Sequence, residues 1–222
     1  MTDTGDTIVA ISTPPGEGGV GIVRLSGPEA IAITATIFRS SRGRNLTQSA
    51  RAVFHGHIVD PEGATVDEVL CHVMRAPHTY TREDVVEING HGGPAPLNAI
   101  MEAALNQGAR LARPGEFTLR AFMNGRIDLV QAEAVIDQIQ ARTRANLQAA
   151  NAASSGVLSR SLHHMRGVLL ELLARIEAVV DFPEDDIPDL IDDTLMAQAD
   201  DAHRQMRDLL RKSEAGRVYR DG

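Results

Sequence analysis

Thr13-Pro14-Pro15-Gly16-Glu17-Gly18-Gly19-Val20-Gly21-Ile22-Val23-Arg24-Leu25-Ser26-Gly27 is a glycine-rich loop running into an apolar segment. Its reading separates two fold classes. Gly16, Gly18 and Gly21 spell G-x-G-x-x-G, the pattern of a dinucleotide-binding turn. That turn needs a strand before it, a helix after it and an acidic residue about 20 positions on for the ribose. Thr7 to Ser12 reads as the strand, but Val20 to Leu25 is β-branched and reads as a second strand rather than a helix. No Asp or Glu occurs between Glu29 and Asp60, so the ribose partner is missing too. The loop therefore joins two strands. Pro14 and Pro15 force an extended entry, and the glycines permit positive φ and close backbone approach. The loop is either a wide hairpin connection or a backbone rim for a small ligand, with Arg24 aimed from the second strand.

Two other nucleotide or acyl-transfer readings fail on the same kind of evidence. A P-loop needs Gly-Lys-Ser/Thr, and the single lysine, Lys212, follows Arg211. His91-Gly92-Gly93 resembles an oxyanion-hole run, yet no G-x-S-x-G nucleophile elbow accompanies it.

Composition narrows the class. The 222 residues are 43% apolar but hold only five Phe, two Tyr and no Trp, so the core is expected to be Val, Ile, Leu and Ala. A formal charge of -8 argues against a surface dedicated to coating nucleic acid. A lone cysteine, Cys71, rules out an internal disulfide framework and a cysteine-based zinc site, and its alternating neighbours place it in a buried strand. With no basic leader, no signal-type apolar segment and no run near 18 apolar residues, a soluble cytoplasmic protein without membrane contact is expected.

Outward from the loop, the chain changes character near Gly125. Fifteen of the 19 glycines lie at or before it, and eight of the ten prolines lie at or before Pro114. Ahead of the change, strand and helix signals alternate. Ser26-Gly27-Pro28-Glu29 supplies a capping residue and an early proline for a helix over Ala30 to Phe38. Arg42 to Ala50 reads as polar loop. Val53–Val59 and Val66–Met74 flank Asp60-Pro61-Glu62-Gly63 as a hairpin, and Asp84–Asn89 forms a further strand. A helix opens at Gly90-His91-Gly92-Gly93-Pro94 and ends near Gly108, and another starts at Pro114-Gly115-Glu116-Phe117. The pattern is α+β with mixed connectivity.

Beyond Gly125 the pattern is helical. Leu129, Ala132, Ile136, Ile139, Leu147 and Ala150 form one stripe. Leu158, Leu162, Met165, Leu169, Leu172, Ile176 and Val179 form a longer one that stops at Asp181-Phe182-Pro183. Leu195, Ala202, Met206 and Leu209 form a third, capped by Asp192 or Asp193. Three striped helices suggest a bundle whose stripes are core. The seven carboxylates from Asp181 to Asp193 lack a calcium loop's glycine and spacing, and read as a solvated linker. His163 and His164 are adjacent and cannot pair as i, i+4 ligands. No metal site and no catalytic residue is expected.

Several polar islands in ordered contexts remain: Arg24, Glu87, His91, and Arg126 with Asp128. With their flanks they resemble one family. Thr13-Pro14-Pro15-Gly16 through Arg24-Leu25-Ser26-Gly27 is similar to the opening of the tRNA modification GTPase family MnmE, also called TrmE. Tyr80-Thr81-Arg82-Glu83-Asp84-Val85-Val86-Glu87 and Gly90-His91-Gly92-Gly93 resemble its second block. Arg113-Pro114-Gly115-Glu116-Phe117-Thr118 through Asn124-Gly125-Arg126, Asp128-Leu129 and Gln131-Ala132-Glu133-Ala134 resemble the third. Asp181-Phe182-Pro183-Glu184 resembles a signature of its helical domain. The four blocks span nearly the whole chain in order.

The resemblance implies an aminomethyltransferase-like domain over residues 1–124 that binds 5-formyltetrahydrofolate and forms a homodimer. It implies the first part of a helical domain over residues 125–222. It further implies action with the flavoprotein MnmG on C5 of the wobble uridine of tRNA, folate supplying the one-carbon unit. Arg24, Glu87 and Arg126 fall where the family contacts folate, and Gly18, Gly19, His91 and Gly92 would form the rim. A pterin presents adjacent N–H donors to a carboxylate such as Glu87, and its anionic tail suits guanidinium groups. The family's GTPase domain, returning helical half and terminal cysteine motif fall outside these residues. The sequence is therefore expected to be a fragment or a truncated relative, with GTP, Mg and K relevant only if that domain is present. Stripe residues of an incomplete bundle would then favour self-association. A dimeric scaffold with a vestigial pocket, and a stand-alone folate-dependent transferase, are the alternatives.

Overall fold

The computed structural model describes residues 5–48, 51–181 and 192–220, except the side chains of 179 and 212–220. The chain divides into two compact units, Met1–Ile127 and Asp128–Gly222. The first is α+β and the second is helical.

The strands of the first unit are β1 (Ile8–Ile11), β2 (Gly21–Ser26), β3 (Phe38–Ser40), β4 (Arg51–Val59), β5 (Thr65–Met74), β6 (Val85–Gly90) and β7 (Arg110–Leu111). They form one mixed sheet in the order β3-β4-β5-β6-β2-β1-β7, antiparallel throughout except where β7 runs parallel to β1. The glycine loop joins antiparallel neighbours β1 and β2, so the second-strand reading of Val20 to Leu25 holds, with the strand starting at Gly21. Two helices, α1 (Ala30–Ile37) and α2 (Pro94–Asn106), share one apolar core with the sheet. Val23 and Leu25 of β2, Val69, Cys71 and Val73 of β5, and Val86 and Ile88 of β6 alternate into that core. Burying each such side chain contributes about 1.5–3 kcal/mol. Cys71 is fully buried and desolvation pushes its thiol well above the usual range, so it is inert core.

A third helix, α3 (Glu116–Met123), buries Glu116, Arg120 and Ala121 and is attached by charge. Arg120 is 3% exposed; it reaches the Asp6 backbone carbonyl at 2.8 Å, the Asp6 carboxylate, Glu83 at 3.2 Å and Glu116 at 3.4 Å. Arg110 of β7 grips Glu116 at 2.6 Å and Asp6 at 2.6 Å. The Arg110 guanidinium, with the Arg113 backbone N–H and Arg120, pulls the Glu116 pKa down to about 2. Ser26, expected near a helix start, is the last residue of β2 instead. Its hydroxyl meets Thr81 at 2.6 Å and donates to Glu83 at 2.7 Å, so it caps nothing. The N-cap of α1 is Glu29, whose own N–H is taken by the Thr7 hydroxyl at 2.9 Å. The expected helix at Phe38 yields to the short edge strand β3, and the expected polar loop contains a 3₁₀ turn at Leu46–Gln48 with Leu46 buried.

The second unit holds four helices among the described residues: α4 (Leu129–Gln140), α5 (Arg144–Ser154), α6 (Val157–Asp181) and α7 (Asp193–Arg220). The stripe expected to run from Leu129 to Ala150 is broken at Ala141, because Thr143 caps a new helix by accepting the Asn146 N–H at 3.1 Å. Asp128 and Gln131 form a reciprocal capping box on α4. Asp192 caps α7, accepting the Leu195 N–H at 2.7 Å. The stripes are not a closed core. Ala134, Ala150, Met165, Leu195 and Ala202 are buried, but Leu129, Ile136, Ile139, Leu147, Leu162, Leu169 and Ile176 are exposed. Residues 182–191, most of the acidic run, lie outside the described residues. No helix among the described residues is long and apolar enough to cross a membrane.

Removing Arg120 takes the ion-pair partner from Glu83 while Arg110 still holds Asp6 and Glu116, so Arg120→Ala should lower stability by about 3 kcal/mol in urea unfolding. A loss below about 1 kcal/mol would show that the network does not hold α3. Glu116 has a depressed folded pKa. Its contribution is present above its ordinary value of 4.5 and is lost as the pH falls toward about 2. Circular dichroism over that window should show acid destabilisation that Glu116→Gln flattens.

Candidate functional site

The sheet face opposite the apolar core carries two of the polar islands, Arg24 and Glu87, and strand register places them. Arg24 of β2 lies directly across from Glu87 of β6, and Glu87 across from His72 of β5. All three have outward parity, since their neighbours Val23, Val86 and Val73 point into the core. Arg24 donates from Nε at 2.8 Å and lies at 2.7 Å from Nη2, both to Glu87 Oε1. Both Arg24 contacts thus fall on one oxygen of the carboxylate. Next along the face are Leu70 and Asn89, paired with each other; Leu70 and, from β4, Val53 are exposed.

Helix α3 closes one side. The Arg24 guanidinium lies 5.6 Å from the centre of the Phe117 ring. The next residue, Thr118, meets the Tyr80 hydroxyl at 2.9 Å, and Arg126 stacks over the Tyr80 ring at 4.7 Å. Glu87, Arg24, Phe117, Thr118, Tyr80 and Arg126 therefore form a connected series. The structure joins Arg24 and Glu87 directly and brings Arg126 to them only through α3 and Tyr80. The left-handed Gly115 (φ 77°) sets the entry to α3, and Asn124 fixes its far end by donating to the Thr81 carbonyl at 2.6 Å.

The expected rim lies at the other end of β2 and β6. A Cβ on Gly92 would come within 2.5 Å of the Gly18 carbonyl oxygen, so the two glycine segments touch backbone to backbone. Gly19 has open space around it. His91 stands between Gly90 and Gly92, and its imidazole Nδ1 lies 2.6 Å from Asp67 Oδ1. The backbone N–H of His91 donates to Asp67 Oδ2 at 2.8 Å. The Asp67 side chain is 7% exposed, whereas the His91 ring is 71% exposed. The Asp67 carboxylate, with Glu68 adding a smaller field, raises the His91 pKa.

Reading the sequence missed Asp67, Phe117, Tyr80 and the Arg120 network. The signal for Asp67 was present: it has the parity of Val69, Cys71 and Val73, and an acid at an inward strand position needs a partner. Glu116 and Arg120, i and i+4 on α3, carry the same kind of signal. Among the described residues no three His, Cys, Asp or Glu side chains converge to hold a metal ion.

Residues 7–126 match the family model for the GTP-binding protein TrmE N-terminus, and residues 129–222 match that for the MnmE helical domain. The chain is 48% identical over 220 residues to the tRNA modification GTPase MnmE of Bacillus subtilis, covering 98% of the chain and 48% of that protein. It is 50% identical over 217 residues to the Chloroflexus aurantiacus protein of that name, covering 98% and 47%. For the Geobacillus thermodenitrificans protein the identity is 49% over 220 residues, covering 98% and 48%. The chain spans about half the length of these curated relatives.

Gly92→Ala should drive the two glycine segments apart and cost about 1–3 kcal/mol of stability, as overpacking does. Gly19→Ala, in open space, should cost much less; equal losses in thermal melts would contradict the packing described.

Proposed function

The chain belongs to the MnmE (TrmE) family, and from that premise we propose that its first unit is the folate-binding, self-associating module of a tRNA modification GTPase. The ligand is 5-formyltetrahydrofolate. The observation that carries this reading is the Arg24–Glu87 pair on the open sheet face. Arg24 approaches only Oε1 of Glu87, and Oε2 is left to receive the adjacent N–H donors of a pterin. Arg24 holds the carboxylate oriented, so the acceptor is in place before the ligand arrives. Arg126, engaged by the Tyr80 ring, keeps a guanidinium face for the ligand's anionic tail. The family resemblance of Arg24, Glu87 and Arg126 supports the same assignment.

In the longer family proteins this module works in a larger assembly. The homodimer, the flavoprotein MnmG and tRNA are the partners, and C5 of the wobble uridine is the substrate position. GTP with Mg and K belongs to the part of the family that these residues do not match. The setting is the cytoplasm. The exposed Val53 and Leu70 beside the polar row supply apolar surface for a second copy. They also favour the second reading, a dimeric scaffold whose folate pocket is vestigial.

Titrating 5-formyltetrahydrofolate into the purified chain should give saturable heat, with sedimentation reporting a dimer. Glu87→Gln should weaken binding by about 1–3 kcal/mol, the cost of an unmatched buried donor pair. A folded dimer that binds no folate selects the scaffold; unchanged affinity in Glu87→Gln removes Glu87 from the site.

A further inference from the structure

Between Glu29 and Asp60 the chain carries four arginines, Arg39, Arg42, Arg44 and Arg51, and no Asp or Glu. The whole chain has 30 acidic residues against 22 basic ones, so this segment reverses the overall balance. The formal charge of -8 argues against a nucleic-acid surface on the molecule at large and leaves a local one open. All four arginines are exposed. The ion pairs of the first unit are made by Arg24, Arg75, Arg110 and Arg120, which lie outside the segment. Among the described residues none of the four meets a carboxylate. Arg39 donates to the Thr36 and Phe38 carbonyls at 3.0 and 3.1 Å, and Arg44 lies over the Phe54 ring at 4.9 Å.

The fold gathers them at the β3 edge of the sheet. Arg39 of β3 lies across from His57 of β4. The turn after β3 is built on Ser40, whose hydroxyl accepts the N–H groups of Arg42 at 3.3 Å and Arg44 at 3.2 Å. The Ser41 N–H donates to the His55 carbonyl at 3.0 Å, and Arg75 donates to the Thr47 carbonyl at 2.6 Å. The guanidiniums are thus carried on a pinned backbone, with Ser41, Asn45, Thr47 and Gln48 exposed beside them. Leu46 and Phe54 are buried, so the edge offers charge and hydrogen bonds and no apolar side chain to insert into a lipid layer. Glu68, the acid that register places opposite His57, is held by His55 at 2.7 Å. Register also carries the edge toward the proposed folate row. Val53, His72, Glu87 and Arg24 lie side by side on neighbouring strands, and Arg51 precedes Val53 by two residues and so shares its face. Arg51 is two strands and two residues from Glu87, about 10 Å across the sheet and about 7 Å along it.

Resting on the reading above that the chain serves tRNA modification, we propose that the β3 edge, through Arg39, Arg42, Arg44 and Arg51, docks the phosphodiester backbone of tRNA. Guanidiniums without a carboxylate partner suit phosphate oxygens, which accept their forked N–H pairs. Exposed hydroxyl and amide side chains are the other usual partners of phosphate and sugar. The adjoining face favours RNA over an acidic protein segment. A molecule that receives a carbon from folate on the Glu87 row has to reach that face, and its backbone then lies along the arginine edge. These contacts position the RNA and read no sequence. Arg39 and the Arg42–Arg44 turn lie at the edge beyond Val53 and Leu70, which leaves those two side chains to a second copy.

The test is the binding of an unmodified tRNA transcript to the purified chain, followed by fluorescence anisotropy between about 50 and 200 mM salt. Four phosphate contacts should give a slope of about 3 in log Kd against log salt. Arg42→Gln combined with Arg51→Gln should lower that slope by about 2 and weaken binding at least about tenfold at the lower salt. Neither side chain makes a hydrogen bond or ion pair among the described residues, and circular dichroism checks that the variant is folded. Protection of Arg42 and Arg51 from phenylglyoxal by tRNA, read by mass spectrometry, needs no variant. A folded variant that binds tRNA as the wild type does, or arginines that tRNA leaves fully reactive, overturns the inference. So does arginine-dependent capture by polyglutamate or by phosphatidylglycerol vesicles in place of tRNA. A chain that binds 5-formyltetrahydrofolate and ignores tRNA overturns this inference and retains the folate reading. One that binds tRNA through these arginines and takes no folate does the reverse.

Discussion

The first unit depends on one buried cation. Arg120 is almost without solvent, and its guanidinium meets the Asp6 carboxylate and carbonyl, Glu83 and Glu116. Those partners belong to the segment before β1, the segment before β6 and the first turn of α3. A guanidinium can do this because its donors are fixed in a plane and always charged; an ammonium could not span three carboxylates in that geometry. Arg110 shares two of the three acids, so neither arginine can be removed without leaving the other's partners unbalanced. An apolar contact would have held α3 to the sheet, but without fixing its rotation.

That rotation is what the candidate site uses. With α3 locked, Phe117 faces Arg24 and Thr118 faces Tyr80, and Tyr80 in turn supports Arg126. The Arg24–Glu87 pair is fixed independently by register, since antiparallel neighbours across a ladder have their side chains side by side on one face. The site thus combines a rigid sheet row with a helix held by ion pairs. Its far rim is governed by exclusion of side chains. Gly92 meets the backbone of Gly18, and Gly90 makes room for Asp67.

Much of this was legible in advance. Apolar and β-branched runs marked β1 and β2, alternation marked the strand of Cys71, and the Asp60–Gly63 turn marked the β4–β5 hairpin, because strand composition and turn chemistry are local properties. The context of the glycine loop excluded a dinucleotide turn for a local reason too: the loop leads into a strand where that turn requires a helix. The errors have tertiary causes. Ser26 has the composition of a cap, but Glu83 and Thr81 compete for its hydroxyl from more than 50 residues away. The break at Ala141 is invisible in the apolar stripe, which keeps its phase on both sides. The strands β3 and β7 are too short to carry a pattern, and exist because a neighbour offers them a ladder.

By itself the sequence determined the α+β character of the first unit, the helical character of the second, the inert placement of Cys71 and, through its ordered motifs, the family. These follow from side-chain periodicity and from motifs whose residues are close in sequence. Only the tertiary structure decided that Arg24 faces Glu87 across 63 residues, that Arg120 gathers the distant Asp6 and Glu83 beside its helix neighbour Glu116, and that Asp67 turns inward to hold an exposed imidazole. The reason is geometric. A side chain's type states which partner it needs, but strand register and helix rotation determine which partner stands within 3 Å of it.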